Sequence, residues 1–164
     1  MKYFLGLDCS SKSIHGTILN IEGKVVSFFA CTSPEKKVDD RFYDLIHQFQ
    51  NIVENLRDEY IVAIEKAIYR QNALATIGIA QVIAGVKLAL KGKEIEHYVV
   101  DNKTWKRLTV GNGNCTKDQI KAYAIKRWNL PDNLVQDFYD SVGIAGWCWK
   151  ECFAEYILED KKWI

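Results

Sequence analysis

The sequence predicts a mixed α/β fold in which three antiparallel strands open the chain and later strands alternate with helices. Three observations carry this prediction. Apolar runs of strand length fill most of the first 31 residues, an apolar period of three to four residues begins near Asp39, and two later strand-like runs each precede helical segments. The length of 164 residues, with only two prolines, fits one domain over 1–164 without a linker.

The first three predicted strands follow one another closely in the sequence, and an acidic residue follows the first of them. Residues 3–7 are an apolar run that ends at Asp8, and residues 14–21 and 24–31 are two β-rich runs joined across Glu22 and Gly23. An acidic residue followed by glycine between two such runs is typical of a hairpin. Asp8 is therefore expected at the end of the first strand.

The middle of the chain switches to a helical period and then returns to a strand. From Asp39 onward, apolar residues recur along one face for about five turns, which predicts an amphipathic helix. Residues 60–64 are uniformly apolar and predict a strand buried on both faces, ending on Glu65. A second carboxylate is thus expected at a strand end.

An unusually apolar helix is predicted to begin at Ala73 and to reach Val86. Its only polar side chains are Thr76 and Gln81, so it has almost no solvent face. Its short length and its position between two strands disfavour a membrane span. Either a partner subunit or the rest of the same chain is expected to cover it, and the partner subunit is preferred.

The last third of the chain predicts one more strand and two helices. Residues 95–100 fit a strand, 111–114 form a flexible glycine-rich loop, and Thr116 with Gln119 has the pattern of a helix N-terminus, predicting a helix over 117–128. A helix-breaking segment at 130–133 precedes a last helix that carries Asp137 and Asp140 and continues through Tyr156.

Charge and cysteine usage restrict the class of protein. The formal net charge of +1 does not indicate a nucleic-acid partner, but the segment 103–127 holds seven basic residues and one acid. Such a stripe can contact phosphates. The basic residues are Lys103, Lys106, Arg107, Lys117, Lys121, Lys126 and Arg127.

Five cysteines without a C-x-x-C pair favour reduced thiols in a cytosol-like compartment, with Cys148 and Cys152 as buried apolar residues.

Four carboxylates form the candidate catalytic set: Asp8, Glu65, Asp137 and Asp140. Asp137 and Asp140 are three residues apart, so both project from one face of a helix. Oxygen ligands suit Mg²⁺, and paired ions stabilise the attacking and leaving oxygens of a phosphodiester. Taken singly, each acid also has a structural explanation as a turn former or a helix cap.

The acidic segments are similar to motifs of the RuvC family of Holliday-junction resolvases. G-L-D at 6–8, followed by a serine-rich turn, and A-I-E at 63–65 resemble the first two acidic motifs. Residues 105–120 resemble the family's V-K-x-x-V-x-G-x-G-x-A-x-K-x-Q-V segment, and D-F-Y-D-S at 137–141 matches its closing D-x-x-D-A/S motif. The resemblance implies a ribonuclease-H-like fold with a mixed five-stranded sheet flanked by helices.

The resemblance also implies roles for individual residues. Asp8 would bridge two ions, Mg²⁺ or Mn²⁺, Glu65 and Asp140 would complete the site, and Asp137 would ligate an ion or orient a water. Lys117 matches a family lysine near the scissile phosphate, although an exposed lysine in a first helical turn is nearly as common. DNA contacts are expected from Lys103, Lys106, Arg107, Lys117 and Lys121.

Some positions depart from the family pattern. Cys9 and Ser10 replace a frequent proline and glycine, and His15 precedes the glycine at position 16. The aromatic residue that opens a base step in the family aligns with either Ile68 or Tyr69. Tyr69 together with Arg70 is preferred because aromatic and guanidinium planes stack on bases.

The expected function is that of a homodimeric, metal-dependent crossover junction endodeoxyribonuclease acting in DNA recombination and repair. The apolar helix that starts at Ala73 is the expected dimer interface. A ribonuclease-H-like nuclease for flaps, forks or RNA–DNA hybrids and a non-catalytic junction-binding module are the alternatives. The expected location is the cytoplasm of a bacterial cell or an infected host cell, and a cellular and a phage or viral origin both remain open.

Overall fold

The computed structural model describes residues 2–67 and 73–160, and side chains up to residue 153. Five strands form one mixed sheet in the order β3-β2-β1-β4-β5. β2 pairs antiparallel with both β1 and β3, whereas β4 pairs parallel with β1 and with β5. The elements are β1 (Lys2–Cys9), β2 (Ser13–Asn20), β3 (Val25–Thr32), α1 (Val38–Asn55), β4 (Glu59–Glu65), α2 (Ala73–Gly92), β5 (Glu96–Val100), α3 (Asn102–Val110), α4 (Lys117–Trp128) and α5 (Gln136–Asp160).

Helices cover both faces of the sheet, and β4 shows how its sequence serves the two layers. Ile61 and Ala63 pack into the cluster with α3, α4 and α5, while Val62 and Ile64 pack into the cluster with α1 and α2. Alternate residues of a strand point to opposite faces, so a strand without polar residues must be covered twice. The predicted burial of this strand on both faces is confirmed, as is the mixed five-stranded sheet.

The prediction missed helix α3, which directly follows β5. The Asp101 side chain caps it by accepting a hydrogen bond from the Lys103 N–H, and Gly111 ends it with a left-handed φ of 99°. Within it only Trp105 and Thr109 are buried. These two buried residues, of which only Trp105 is apolar, do not form an apolar period from which a helix can be identified in the sequence. The supposed flexible loop at 111–114 therefore begins as a helix cap.

Helix α2 is longer than predicted and apolar on both sides. Six of its residues are buried, yet Leu88 is 74% exposed and Ile77 54% exposed. By length and composition it is the one described helix that could cross a membrane, a property that buried core helices share. Gly85 lets it approach α1, because a Cβ there would lie 2.6 Å from Cδ1 of Ile46. The helix thus has one face in the core and one apolar face outside it.

The cysteines are part of the core rather than of a polar site. All five are buried, and the Cys148 thiol donates to the carbonyl oxygen of Ile61 at 3.6 Å. Burial raises the pKa of the Cys31 thiol to about 11. The interpretation of Cys148 and Cys152 as buried apolar residues fits this environment.

Candidate nuclease site

The pairing of β1 with β4 brings two acids to the same edge of the sheet. The strands are parallel, and Leu7 is the register partner of Ile64. Asp8 and Glu65 each follow these residues, so they extend the same two strands side by side. Burial raises the pKa of Asp8, and among the neighbouring charges that of Glu65 contributes most to the rise.

Helix α5 brings the other two acids to this edge by crossing β1 at Gly6. A Cβ on Gly6 would lie 2.2 Å from the backbone nitrogen of Ala145 and 2.3 Å from the carbonyl oxygen of Ser141. Only glycine allows that approach. The crossing is locked by a buried hydrogen bond of 2.6 Å between the hydroxyls of Thr17 and Ser141.

Three of the carboxylates form one cluster. Asp8, Asp137 and Asp140 each place one carboxylate oxygen within 4.8 Å of the others. Glu65 stands beside this cluster and is not one of its three members. All four acids of the predicted set therefore lie at one edge of the sheet, three of them in the cluster and Glu65 beside it.

The electrostatics of the cluster show strain that a cation would relieve. Burial raises the pKa of Asp8 well above its usual range, and the charges of Glu65, Asp140 and Asp137 raise it further. Burial likewise raises the pKa of Glu65 and of Asp140. Among the described residues, no lysine or arginine lies within 4.0 Å of these carboxylates. Partly buried carboxylates without a described lysine or arginine partner fit hard divalent cations.

Neutral side chains from α3 contact Glu65, and the sequence did not reveal them. The Asn102 amide donates to Oε1 of Glu65 at 2.7 Å, and the Trp105 indole N–H donates to Oε2 at 3.1 Å. Gln136 similarly donates to Oδ1 of Asp140 at 3.1 Å. The missed signal was the position of Asn102 and Trp105 one helical turn apart, which requires α3 to be known.

His15 is a further polar residue at the site. It is the register partner of Asp8 across the β1–β2 pair, and its Nδ1 lies 3.4 Å from Oδ2 of Asp137. The side chain is buried, and this nitrogen has no hydrogen-bond partner among the described residues, so the contact with Asp137 is electrostatic only. Burial lowers the pKa of His15, although the charge of Asp137 opposes that effect.

Two of the predicted basic residues, Lys117 and Lys106, influence the acids electrostatically. Lys117 is the first residue of α4, where Thr116 and Gln119 form the predicted capping box. Its positive charge partly offsets the rise in the pKa of Asp8 and of Asp140. The charge of Lys106 likewise partly offsets the rise in the pKa of Glu65 and of Asp140. The charges of both lysines therefore act on the acidic site.

The other predicted DNA-contacting residues occupy different positions. Lys103 and Arg107 are exposed on α3, and the Lys121 ammonium lies 5.5 Å from the ring centre of Tyr139. The candidate wedge residues Ile68 and Tyr69, with Arg70, lie outside the described residues.

The glycines of the segment 111–113 also have structural explanations. Gly111 closes α3 with its positive φ, and a Cβ on Gly113 would lie 3.0 Å from the carbonyl oxygen of Lys103.

A mixed sheet in this order, with acids at the ends of two neighbouring strands and on the helix that crosses them, defines a ribonuclease-H-like nuclease. The family model described as crossover junction endodeoxyribonuclease RuvC matches residues 4–146. The chain belongs to this family, and the expectation of a Holliday-junction-resolving endodeoxyribonuclease is confirmed at that level. A search of curated protein sequences finds no significant match.

Solved structures of two sources share the fold. The Thermus thermophilus RuvC in complex with a Holliday junction substrate has a TM-score of 0.77 at 14% identity, covering 88% of this chain and 91% of its own. A second Thermus thermophilus RuvC structure has 0.74 at 18% identity, covering 94% and 96%. The yeast mitochondrial Holliday junction resolvase has 0.61 at 17% identity, covering 98% and 83%.

Proposed function

We propose that this chain is a homodimeric endonuclease that nicks two opposed strands of a four-way DNA junction by metal-dependent attack of water on a phosphodiester. The observation that carries the proposal is the cluster of Asp8, Asp137 and Asp140 within 4.8 Å, beside Glu65 and with no described lysine or arginine within 4.0 Å. Two divalent ions, Mg²⁺ or Mn²⁺, would supply the positive charge that stabilises the attacking and leaving oxygens.

Each acid has a distinct place in the proposed site. Asp8, on which the charges of the other three acids all act, would be a ligand of the ions. Glu65 and Asp140 would complete the set of ligands, and Asp137, whose Oδ2 lies 3.4 Å from Nδ1 of His15, would ligate an ion or orient the water. Lys117 and Lys106 would neutralise the scissile phosphate, because their charges reach the same carboxylates that hold the ions.

A cleavage comparison tests this proposal against its closest alternative. Purified protein and Mg²⁺ are incubated with a labelled four-way junction, a flap, a fork and an RNA–DNA hybrid of matched sequence. We expect symmetric paired nicks in the junction and much slower cleavage of the other substrates. Preferred cleavage of flaps, forks or hybrids would reassign the substrate, and salt-sensitive junction binding without any cleavage would make the chain a non-catalytic module.

The basic face of α3 gives a prediction for DNA binding. Replacing both Lys106 and Arg107 with alanine should weaken binding to all junction sequences alike, because phosphate contacts carry no sequence information. Two lost contacts should reduce the slope of log affinity against log salt by about 2. Fluorescence anisotropy over a salt series in Ca²⁺ measures both effects. The matched control, Lys91→Ala with Lys93→Ala, lies at the opposite end of the fold, and an equal loss there would contradict the assignment.

The exposed face of α2 gives a prediction for the dimer. Leu74, Ile77, Ala84 and Leu88 are exposed along one side of this helix, with Gln81 between them. Such a mostly apolar stripe is typical of an interface between subunits. Leu88→Glu should convert the protein from a dimer to a monomer in sedimentation equilibrium, since it places a charge in the interface. Val26→Glu, at a similarly exposed apolar residue of β3, should leave the dimer intact, and a wild-type monomer of 18.9 kDa would contradict the proposal.

The proposed setting follows from the substrate. A single nuclease domain over 1–164 would act on branched recombination intermediates in the cytoplasm of a bacterial cell or of an infected host cell. The buried, reduced state expected for the cysteines fits that compartment.

A further inference from the structure

Glu65 lies outside the three-carboxylate cluster, and its orientation is set by contacts of its own. Asp8, Asp137 and Asp140 share one cluster, whereas Glu65 stands outside it on β4. A carboxylate that must hold an ion needs a fixed orientation before the ion arrives. The described structure offers two groups that could provide this, the Asn102 amide at 2.7 Å and the Trp105 indole N–H at 3.1 Å.

The chemistry of these two donors suits a metal ligand. Each donates to a different oxygen of Glu65, so the plane of the carboxylate is defined at both ends. A carboxylate oxygen has more than one acceptor position, so each oxygen can still ligate a cation. Both donors are neutral, so they hold the Glu65 carboxylate in place without neutralising its negative charge. A lysine in the same position would neutralise it. This arrangement keeps the carboxylate available for a divalent ion.

Trp105 also connects Glu65 to the helix that carries the other acids. It is fully buried, and a Cβ on Gly143 of α5 would lie 2.5 Å from its Cζ3 atom. Gly143 comes one turn after Asp140 on that helix. The Thr109 hydroxyl donates to the Gly143 carbonyl oxygen at 3.0 Å, which fixes α3 against α5 at the same point.

We propose that Asn102 and Trp105 are positioning residues that orient Glu65 relative to Asp140 and thereby set the affinity of the site for divalent ions. The proposal rests on the nuclease function proposed above but predicts metal binding in the absence of DNA. Both residues belong to α3, the helix that the sequence pattern did not reveal. Their contribution acts through the hydrogen bonds to Glu65.

The test measures Mn²⁺ binding by electron paramagnetic resonance of the free ion, together with the Mg²⁺ concentration for half-maximal junction cleavage. Asn102→Leu removes the amide donor at nearly constant shape, and Trp105→Phe removes the indole donor. Each should weaken Mn²⁺ binding and raise the half-saturating Mg²⁺ concentration by about 10- to 100-fold. Cleavage at saturating Mg²⁺ should fall much less. Asn102→Leu keeps the test decisive if Trp105→Phe does not fold.

Two controls separate positioning from a general loss of structure. Trp128→Phe removes an indole donor of the same kind, bonded to the Gly23 carbonyl oxygen at 3.0 Å away from the acids, and should leave Mn²⁺ affinity unchanged. In a Glu65→Ala background, Asn102→Leu should have no further effect on Mn²⁺ affinity. Wild-type affinity in Asn102→Leu, or an equal loss in Trp128→Phe, would overturn the proposal. A wild-type protein that binds Mn²⁺ but cleaves no junction would instead contradict the proposed function.

Discussion

Asp8→Asn should lower the rate of junction cleavage by about 10³-fold or more while junction binding persists. Asp8 is the member of the cluster on which the charges of Glu65, Asp137 and Asp140 all act. Removing its charge takes away a proposed ligand of the ions, and that electrostatic stabilisation is worth several kcal/mol, or about three powers of ten in rate. Single-turnover cleavage of a labelled junction at saturating enzyme measures the loss.

A nearby acid provides the control for this variant. Asp118 lies in the first turn of α4, next to Lys117, but outside the acidic cluster. Asp118→Asn should retain cleavage within a few-fold of wild type. Cleavage by Asp8→Asn within about tenfold of wild type, a change of only about 1.4 kcal/mol, would remove Asp8 from the centre of the site.

Asp8→Asn should also stabilise the metal-free protein, and the gain in stability over wild type should grow with pH. The folded state binds the Asp8 proton more tightly than the unfolded chain does, because burial raises its pKa well above 3.8. Wild-type stability contributed by Asp8 is therefore lost as pH rises from that value through the raised pKa. Asparagine does not titrate, so the difference in melting temperature in EDTA should be larger at about pH 8 than at about pH 4.5. Mg²⁺ should stabilise wild type and not Asp8→Asn.

Gly6→Ala should destabilise the fold by about 3 kcal/mol, which corresponds to a fall in melting temperature of roughly 6–12 °C. The added methyl would lie 2.2 Å from a backbone nitrogen and 2.3 Å from a backbone oxygen of α5, and neither atom can move without moving the helix. The same shift would separate Asp8 from Asp137 and Asp140. Cleavage should therefore fall strongly even at temperatures where the variant remains folded.

A second glycine separates the effect of contact from that of the residue type. Gly92, at the end of α2, has no positive φ, and a Cβ added there would meet nothing within 4 Å. Gly92→Ala should change the melting temperature and cleavage very little. If Gly6→Ala melted like wild type and cleaved normally, the close crossing of α5 over β1 would not be what positions the acids.

The order of the elements along the chain, apart from α3, and the acidic residues could be predicted because their signals are local. Strand-length apolar runs end on Asp8 and Glu65, and the spacing of Asp137 and Asp140 fixes their common helical face. The capping box at Thr116 was also visible, since it needs only the residue types at two positions. These features depend on neighbours along the chain, which the sequence displays directly.

The surroundings of the acids could not be predicted because they depend on tertiary contacts. Asn102 and Trp105 reach Glu65 only because a short helix, with too few buried residues to show a period, turns them toward β4. His15 meets Asp137 through the pairing of β1 with β2 and the crossing of α5.

A crystal of the protein soaked in Mn²⁺ tests the central claim most directly, because anomalous scattering locates each ion. The carboxylates of Asp8, Glu65, Asp137 and Asp140 should surround two anomalous peaks about 3.5–4 Å apart, with Asp8 between them. Absence of any peak among these four residues at saturating Mn²⁺, or ions bound only elsewhere on the protein, would contradict the assignment of this site as the metal-dependent nuclease centre.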